Sequence, residues 1–349
     1  MPMVKGFFGL VCTTLLLLAS WTVHAEQATG VVVDPSTRTW APPVTRTEYK
    51  DWLEGVVQDP KTGDYIVTYK QEGVFYEVTF YPRTKIDPAL KSKINLATGG
   101  HSVAYEYRLK SGTESRQNIH ALRTEITSAT AGSVVEPPGW RGAAVTNFQS
   151  TGLPIRLNWA NRGNGLAPGK SEKGFRLESL DLPGIAIMRI EGDAPTTTWI
   201  GTGPEIDTPT GEKLAQIKRS DFIPRLAAIP RIPNPTPFNA AVVLGGIQKH
   251  VKDDMASMQL IDPALLGPID RSLTQAIAAA QGGNTPSLLH EIKSLRQLLK
   301  QEHADVDQDN DADDDDKEKK PKPRIAKLAA KVLDFDLKYV EKRVKGDKD

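Results

Sequence analysis

An aspartate-rich segment near the C-terminus carries the densest set of potential metal ligands in the chain. Eight aspartates fall within the twelve residues from Asp305 to Asp316. Calcium prefers six to eight oxygen ligands, supplied by a loop that curls around the ion. Aligned with a twelve-residue calcium loop, the segment places carboxylates at positions 1, 3, 5, 9 and 12, which are Asp305, Asp307, Asp309, Asp313 and Asp316. These five residues are therefore a candidate Ca²⁺ site and the basis for a calcium-responsive module.

The spacing of these aspartates resembles the calcium loops of EF-hand, dockerin and thrombospondin-type repeats. Asn310 occupies position 6 in place of glycine, and asparagine tolerates the left-handed conformation needed there. Asp316 occupies position 12, where its short side chain is a weaker bidentate ligand than glutamate. The other interpretation is a disordered acidic and Lys-Pro linker over 302–323, because like charges repel and the segment has little apolar surface to bury.

The sequence contains no recognisable catalytic motif. Gly169-Lys170-Ser171-Glu172 lacks the second glycine of a nucleophile elbow, and His290-Glu291 begins a zinc-protease pattern without its second histidine. His101 in a turn and His120 on a strand could be ligands or bases, but the simpler interpretation is a loop residue and a core residue. We expect no catalytic residue and no cofactor. The alternative is a secreted hydrolase whose active site is built from loops, because carboxylate pairs are defined by geometry in space.

The first 25 residues are typical of a signal peptide that is removed on export. Lys5 precedes an apolar run from Phe7 to Trp21, and small residues follow it at the expected cleavage site. This run is too short to span a membrane, and no other apolar run approaches the required length. Cys12, the only cysteine, lies inside the run, so the mature chain is expected to hold neither a disulfide nor a thiolate site. We therefore predict a periplasmic or secreted protein.

Charge is nearly balanced, with 44 basic and 43 acidic residues. This balance argues against nucleic acid as a partner, since such proteins carry a strong basic excess. A protein or a glycan at the cell envelope is the expected partner. The sequence does not indicate an oligomeric state.

Short alternating segments predict an antiparallel β-sandwich of the immunoglobulin or fibronectin type over 61–205, after an N-terminal extension over 26–60. Tyr65 to Tyr69 and Val74 to Tyr81 form a predicted hairpin, and Ser102 to Leu109 alternates most regularly. Pro-Gly turns recur at the spacing typical of sandwiches. Trp140 and Trp159 are predicted to anchor the core. Thr196 to Ile200 is expected to add the last strand.

Several short motifs within Gly63 to Gly184 resemble uncharacterised secreted bacterial proteins with a β-sandwich body. The motifs are Lys85-Ile86-Asp87-Pro88, a Tyr-x-Tyr strand, Pro-Pro-Gly-Trp, Pro-Gly-Lys-Ser-Glu-Lys-Gly-Phe and Leu-Pro-Gly. The resemblance implies a sandwich fold. It implies neither an activity nor a catalytic residue, because fold alone does not determine function.

A proline-rich stretch within 206–238 predicts an extended linker between two domains. Five prolines fall between Phe222 and Phe238, a composition that favours polyproline conformation. Beyond it the apolar period changes to that of helices, which predicts a small helical bundle over 239–349. Together these features favour an exported, non-enzymatic binding or structural protein of the bacterial envelope or exterior.

Overall fold

A computed structural model describes residues 44–45, 54–97, 102–129, 134–146, 155–303 and 324–346. Within these ranges the chain forms twelve β-strands in three antiparallel sheets, and five α-helices. The predicted fold class, an antiparallel β-sandwich followed by helices, is confirmed. The main differences from the sequence prediction lie between residues 196 and 238.

The first sheet is a small meander with a core of its own. Its strands, in the order β1-β4-β3-β2, are β1 (Val44–Thr45), β2 (Gly55–Gln58), β3 (Tyr65–Gln71) and β4 (Val74–Phe80). Glu72 and Gly73 join β3 to β4 with φ values of 51° and 84°. Positive φ at both central residues gives a turn whose twist matches that of paired strands, so the predicted hairpin is confirmed. The buried side chains of this core are Val67, Tyr69, Val78, Phe80 and Leu214.

The second and third sheets pack face to face as the sandwich. The three-stranded sheet has the order β10-β6-β5 and contains β5 (Pro88–Leu96), β6 (Val103–Ser111) and β10 (Ser171–Ser179). The five-stranded sheet has the order β12-β11-β7-β9-β8 and contains β7 (Ile119–Ile126), β8 (Trp140–Thr146), β9 (Ile155–Asn161), β11 (Leu182–Gly192) and β12 (Ile223–Ile232).

Aromatic side chains fill the space between these two sheets. Trp159 is fully buried, and its ring meets Tyr107 edge-on at 5.5 Å and Phe175 at 5.8 Å between centroids. The Trp140 ring also meets Phe175 edge-on, with 4.9 Å between centroids. Edge-to-face pairs of this kind add to the free energy gained from burying their area. The prediction that both tryptophans anchor the core is confirmed.

The proline-rich stretch is part of the fold and not an extended linker. Residues 206–238 contain α1 (Pro209–Arg219) and β12, which pairs with β11 along its whole length. Pro224 and Pro230 are tolerated because β12 is the last strand of its sheet, where one side of the strand needs no ladder hydrogen bonds. Proline content alone does not distinguish an edge strand from a linker.

The strand expected at Thr196 to Ile200 does not form. Residues 193–199 have no regular secondary structure. Instead, Trp199 packs edge-on against Tyr69 of β3, with ring centroids 6.0 Å apart, and the Tyr69 hydroxyl bonds to the Ile200 backbone. The segment therefore covers the first sheet instead of extending the sandwich.

The remaining helices form the predicted bundle and pack directly on the sandwich. They are α2 (Ala240–His250), which continues into a π-helical turn (Val251–Met255), then α3 (Pro263–Gln281), α4 (Thr285–Glu302) and α5 (Lys327–Lys345). Asn284 caps α4 by accepting a hydrogen bond from the Ser287 N–H. α2 and α5 contact β11 or β12, and their buried side chains belong to the same apolar core as those of the sandwich.

Candidate functional site

The five aspartates of the candidate calcium site, Asp305, Asp307, Asp309, Asp313 and Asp316, lie outside the described residues, as does His101. Calcium binding by this segment therefore stays a prediction. In the described part of the chain, no group of three or more His, Cys, Asp or Glu side chains is arranged to hold a metal ion.

The other histidines that the sequence singled out do not converge on one site. His120 is half-buried on β7, and His290 is exposed on α4. His303 is buried at the end of α4, where its Nδ1 lies 3.0 Å from the carbonyl oxygen of Ile325. That contact joins the end of α4 to the segment leading into α5, so the role of His303 is structural.

A buried histidine and aspartate pair, His250 and Asp254, was not recognised in the sequence. The Ile185 backbone N–H donates to Nε2 of His250 at 2.8 Å, and Nδ1 lies 2.6 Å from a carboxylate oxygen of Asp254. Nε2 must therefore be unprotonated, and Nδ1 donates to Asp254. Burial lowers the pKa of His250, although the adjacent Asp254 opposes this effect. Because both ring nitrogens are bound, the pair connects β11 to α2 and is not available as a base.

A shallow, open cleft with both polar and apolar surface lies between the first sheet and the sandwich, with a volume of about 630 Å³. Four separate segments line it: the β2–β3 turn, the segment after β4, the β6–β7 loop and the segment after β11. We call it the basic cleft, and its lining residues are Lys61, Thr62, Tyr81, Lys85, Arg116, Gln117, Asn118, Asp193 and Pro195.

Hydrogen bonds between these segments fix the walls of the basic cleft. The Gln117 side chain accepts from the Lys85 N–H at 3.2 Å and donates to the Pro82 carbonyl at 2.7 Å. The Asp193 N–H donates to the Asn118 carbonyl at 2.7 Å. The segment after β4, the β6–β7 loop and the segment after β11 are thereby held together.

The basic cleft has an excess of positive charge. Lys85 is paired with Asp64 at 2.5 Å, and both side chains are mostly buried. Arg116 donates to the backbone carbonyl of Lys61 at 3.2 Å, and neither Arg116 nor Lys61 forms an ion pair with a described residue. Asp193 is the acid of the lining. Two exposed cations thus face the cleft without a bound carboxylate.

Next to the basic cleft, a buried carboxylate holds two arginines. Arg83 and Arg123 bind the two different oxygens of Glu191, at 2.8 and 2.9 Å. The backbone N–H of Arg83 also donates a hydrogen bond to a carboxylate oxygen of Asp221 at 2.7 Å. Burial raises the pKa of Asp221, and the charge of Glu191 raises it further, against the opposing effect of Arg83. Because both oxygens of Glu191 are occupied, this cluster positions Arg83 and Arg123 instead of presenting a free carboxylate.

Comparison with known proteins adds little to this description. No protein-family model matches the sequence, and no curated protein matches it. A solved structure of an uncharacterised protein from Nocardia farcinica, described as having an immunoglobulin-like fold, is similar at 17% identity with a TM-score of 0.23. The match covers 35% of this chain and 91% of that one. None of the described helices is both long and apolar enough to cross a membrane.

The cleft residues were missed because no linear pattern connects them. Lys61, Lys85 and Arg116 belong to three turns or loops, and only the packing of the first sheet on the sandwich brings them together. The pair of His250 and Asp254 did leave a signal, since residues four apart in a helix lie on the same face.

Proposed function

We propose that the protein is a non-enzymatic binding protein, exported to the bacterial envelope or exterior, which holds an anionic group of its ligand in the basic cleft. The observation that carries this proposal is the convergence of Lys61, Lys85 and Arg116 on one concave surface from three separate parts of the chain. Lys61 and Arg116 form no salt bridge with a described residue, although Lys61 lies near the Asp59 carboxylate and lowers its pKa, first through a hydrogen bond from the Lys61 backbone N–H and also through its positive charge.

The chemistry of the cleft favours an oxyanion as the bound group. A guanidinium presents paired N–H donors that match a carboxylate, sulfate or phosphate, and an ammonium adds a mobile point charge. The walls are fixed before binding, because their hydrogen bonds are internal. A preformed site reduces the ordering cost of association. Export of the protein is supported by the signal-like pattern of residues 1–25. Its partner would then be a protein or a glycan of the envelope.

The proposal is tested by titrating the mature chain, starting at Glu26, with inorganic phosphate, sulfate and citrate at low ionic strength. We expect at least one of these anions to bind, and the double variant Lys61→Ala/Arg116→Gln to bind it at least about tenfold more weakly, since charge-assisted hydrogen bonds contribute about 1.5–3 kcal/mol each. Isothermal titration calorimetry measures both affinities.

The control is Arg271→Gln/Lys293→Ala, which removes two exposed charges from α3 and α4. These side chains lie on helices that do not line the basic cleft. The control should bind like the unmodified protein. The proposal is wrong if none of the three anions binds, or if the cleft variant and the control bind equally well.

A further inference from the structure

The outer face of the five-stranded sheet carries four exposed arginines on four adjacent strands. They are Arg189 on β11, Arg123 on β7, Arg156 on β9 and Arg141 on β8. We call this surface the arginine face. Among the described residues of these four strands, Glu125 is the exposed acidic residue on the arginine face. The buried carboxylate of Glu191 also lies on this face and binds Arg123, so four arginines stand against two carboxylates, although the whole chain is almost neutral.

The register of the strands places two of these arginines directly opposite each other. Arg189 pairs with Arg123 across β11 and β7. Like charges in this position destabilise a sheet. Arg123 is compensated within the protein by its contacts with Glu191 and Asn158, and Arg189 lies over the Phe222 ring at 4.9 Å. The charges that remain without such a contact are those of the other two arginines.

Arg141 and Arg156 have no compensating contact. Neither guanidinium forms a hydrogen bond or an ion pair with a described residue. Glu125 lies opposite Arg156 in the register but makes no ion pair with it in the described structure. Residues 147–154, between β8 and β9, contain no acidic residue. Among the described residues, both guanidiniums therefore lack an anionic partner.

The spacing of the arginines suits a chain with repeated charges better than a single small ion. Neighbouring strands lie about 4.8 Å apart and each residue advances about 3.4 Å. Arg156 is one strand over and two residues along from Arg123, which gives a backbone separation of roughly 8 Å. Arg141 is two strands over from Arg123 and two residues along in the opposite direction, which places it roughly 12 Å from Arg123 and roughly 14 Å from Arg156. One oxyanion cannot reach all of these groups, whereas successive charges on a polymer can.

We propose that the arginine face docks an anionic polysaccharide. The inference rests on the proposed function for its exported location and its preference for anions, and it adds a second surface and a ligand class. Nucleic acid fits this face less well, because single-stranded bases bind by stacking on exposed aromatic rings. The described aromatic ring beside this face is that of Phe222, and Arg189 already lies over it. A lipid surface also fits less well, because binding to it requires several exposed apolar side chains. Among the described residues of the arginine face, Ile187 is the large apolar side chain that is exposed.

The test uses the mature chain and the double variant Arg141→Gln/Arg156→Gln. These two residues are chosen because they hold nothing else in place, so their loss should leave folding intact. We expect polygalacturonate or dextran sulfate to bind the unmodified protein, with at least about a tenfold loss in the variant and a smaller dependence of affinity on salt. Neutral dextran should not bind. Biolayer interferometry over a series of salt concentrations measures these affinities, and thermal unfolding checks the fold.

Controls separate this inference from the basic cleft and from net charge. Arg271→Gln/Lys293→Gln removes the same charge from the helices, and Lys61→Ala/Arg116→Gln alters only the cleft. Both should retain at least half of the polysaccharide affinity. The inference fails if neither polyanion binds, or if the arginine-face variant binds them as well as the helix control. It also fails if a single-stranded oligonucleotide or anionic lipid vesicles bind the arginine face more tightly than either polysaccharide. If only the cleft variant loses binding of the small anions, that result supports the proposed function, whatever the outcome for the polysaccharides.

Discussion

Asp336 is an ionisable residue in an unusually apolar position. It lies on α5 with no exposed surface, and neither of its carboxylate oxygens has a hydrogen-bond partner among the described residues. Burial raises the pKa of Asp336 well above its ordinary value of 3.8. The nearby Asp336 charge also raises the pKa of Tyr105, although burial has the larger effect on that hydroxyl. The folded protein therefore favours the protonated form of Asp336.

Replacing this carboxyl tests that conclusion through the pH dependence of stability. The pKa of Asp336 is higher in the folded than in the unfolded protein. At low pH the carboxyl is protonated in both states, and burying it then carries no charge penalty. Stability is then lost as pH rises from about 3.8 through the folded pKa. We expect Asp336→Asn, which stays neutral, to be more stable than the unmodified protein by about 1–3 kcal/mol at pH 8, with the difference vanishing toward pH 4.

Urea unfolding at several pH values measures this difference. Asp334→Asn is an informative comparison, because Asp334 on the same helix is held by Arg296 and Lys338 and its removal should destabilise the protein. A lower stability of Asp336→Asn at pH 8 would contradict the assignment and indicate a partner for the carboxylate.

At the scale of elements, the pairing of β8 with β9 depends on a glycine. Gly142 lies opposite Trp159 in the register. A Cβ at this position would come within 2.6 Å of both the Trp159 indole nitrogen and Val134 Cγ1. The indole N–H donates to the Val135 carbonyl at 3.1 Å, so the ring cannot shift without losing a buried hydrogen bond. The close approach of Trp159 to this strand is the reason for the glycine.

The corresponding prediction is that Gly142→Ala destabilises the protein by about 1–3 kcal/mol, as expected for overpacking in a core. Thermal or urea unfolding measures the change. The neighbouring exposed residue supplies the control, since Ala143→Ser should change stability by no more than about 0.5 kcal/mol. Equal stabilities of the two variants would show that the indole has room to move.

At the scale of the whole molecule, the helices and the sandwich should unfold together, because they share one apolar core. The described tryptophans, Trp140, Trp159 and Trp199, pack in the β part, so their fluorescence monitors it, whereas circular dichroism at about 222 nm follows the helices. We expect the two signals to give the same urea midpoint, as in a single cooperative transition. A helical signal lost at a clearly lower urea concentration would instead support two domains, with the predicted division near residue 238.

The two proposed binding surfaces are linked through the Glu191 cluster. Arg83 lies in the segment after β4 that forms a wall of the basic cleft, and Arg123 belongs to the arginine face. Glu191 binds both guanidiniums, so it fixes the positions of the two surfaces relative to each other.

The sequence by itself determined the local features that depend on residue type and short-range period. The alternation in β6, the β3–β4 hairpin, the burial of Trp140 and Trp159 and the helical character beyond residue 239 all follow from such patterns. Neither the place of β12 nor the packing of the helices on the sandwich could be read in this way. A proline is tolerated in a strand mainly when that strand lies at the edge of its sheet. Strand order, however, is set by contacts between residues far apart in the chain.

The candidate sites divide in the same manner. The outward direction of Arg123 and Arg156 was predictable, because side chains alternate along a strand. That these arginines meet Arg189 and Arg141 on one surface required the register of four strands. The basic cleft required still more, since its cations come from loops whose meeting point exists only after the first sheet packs on the sandwich. Charge type is a property of the sequence, whereas the convergence of charges is a property of the tertiary structure.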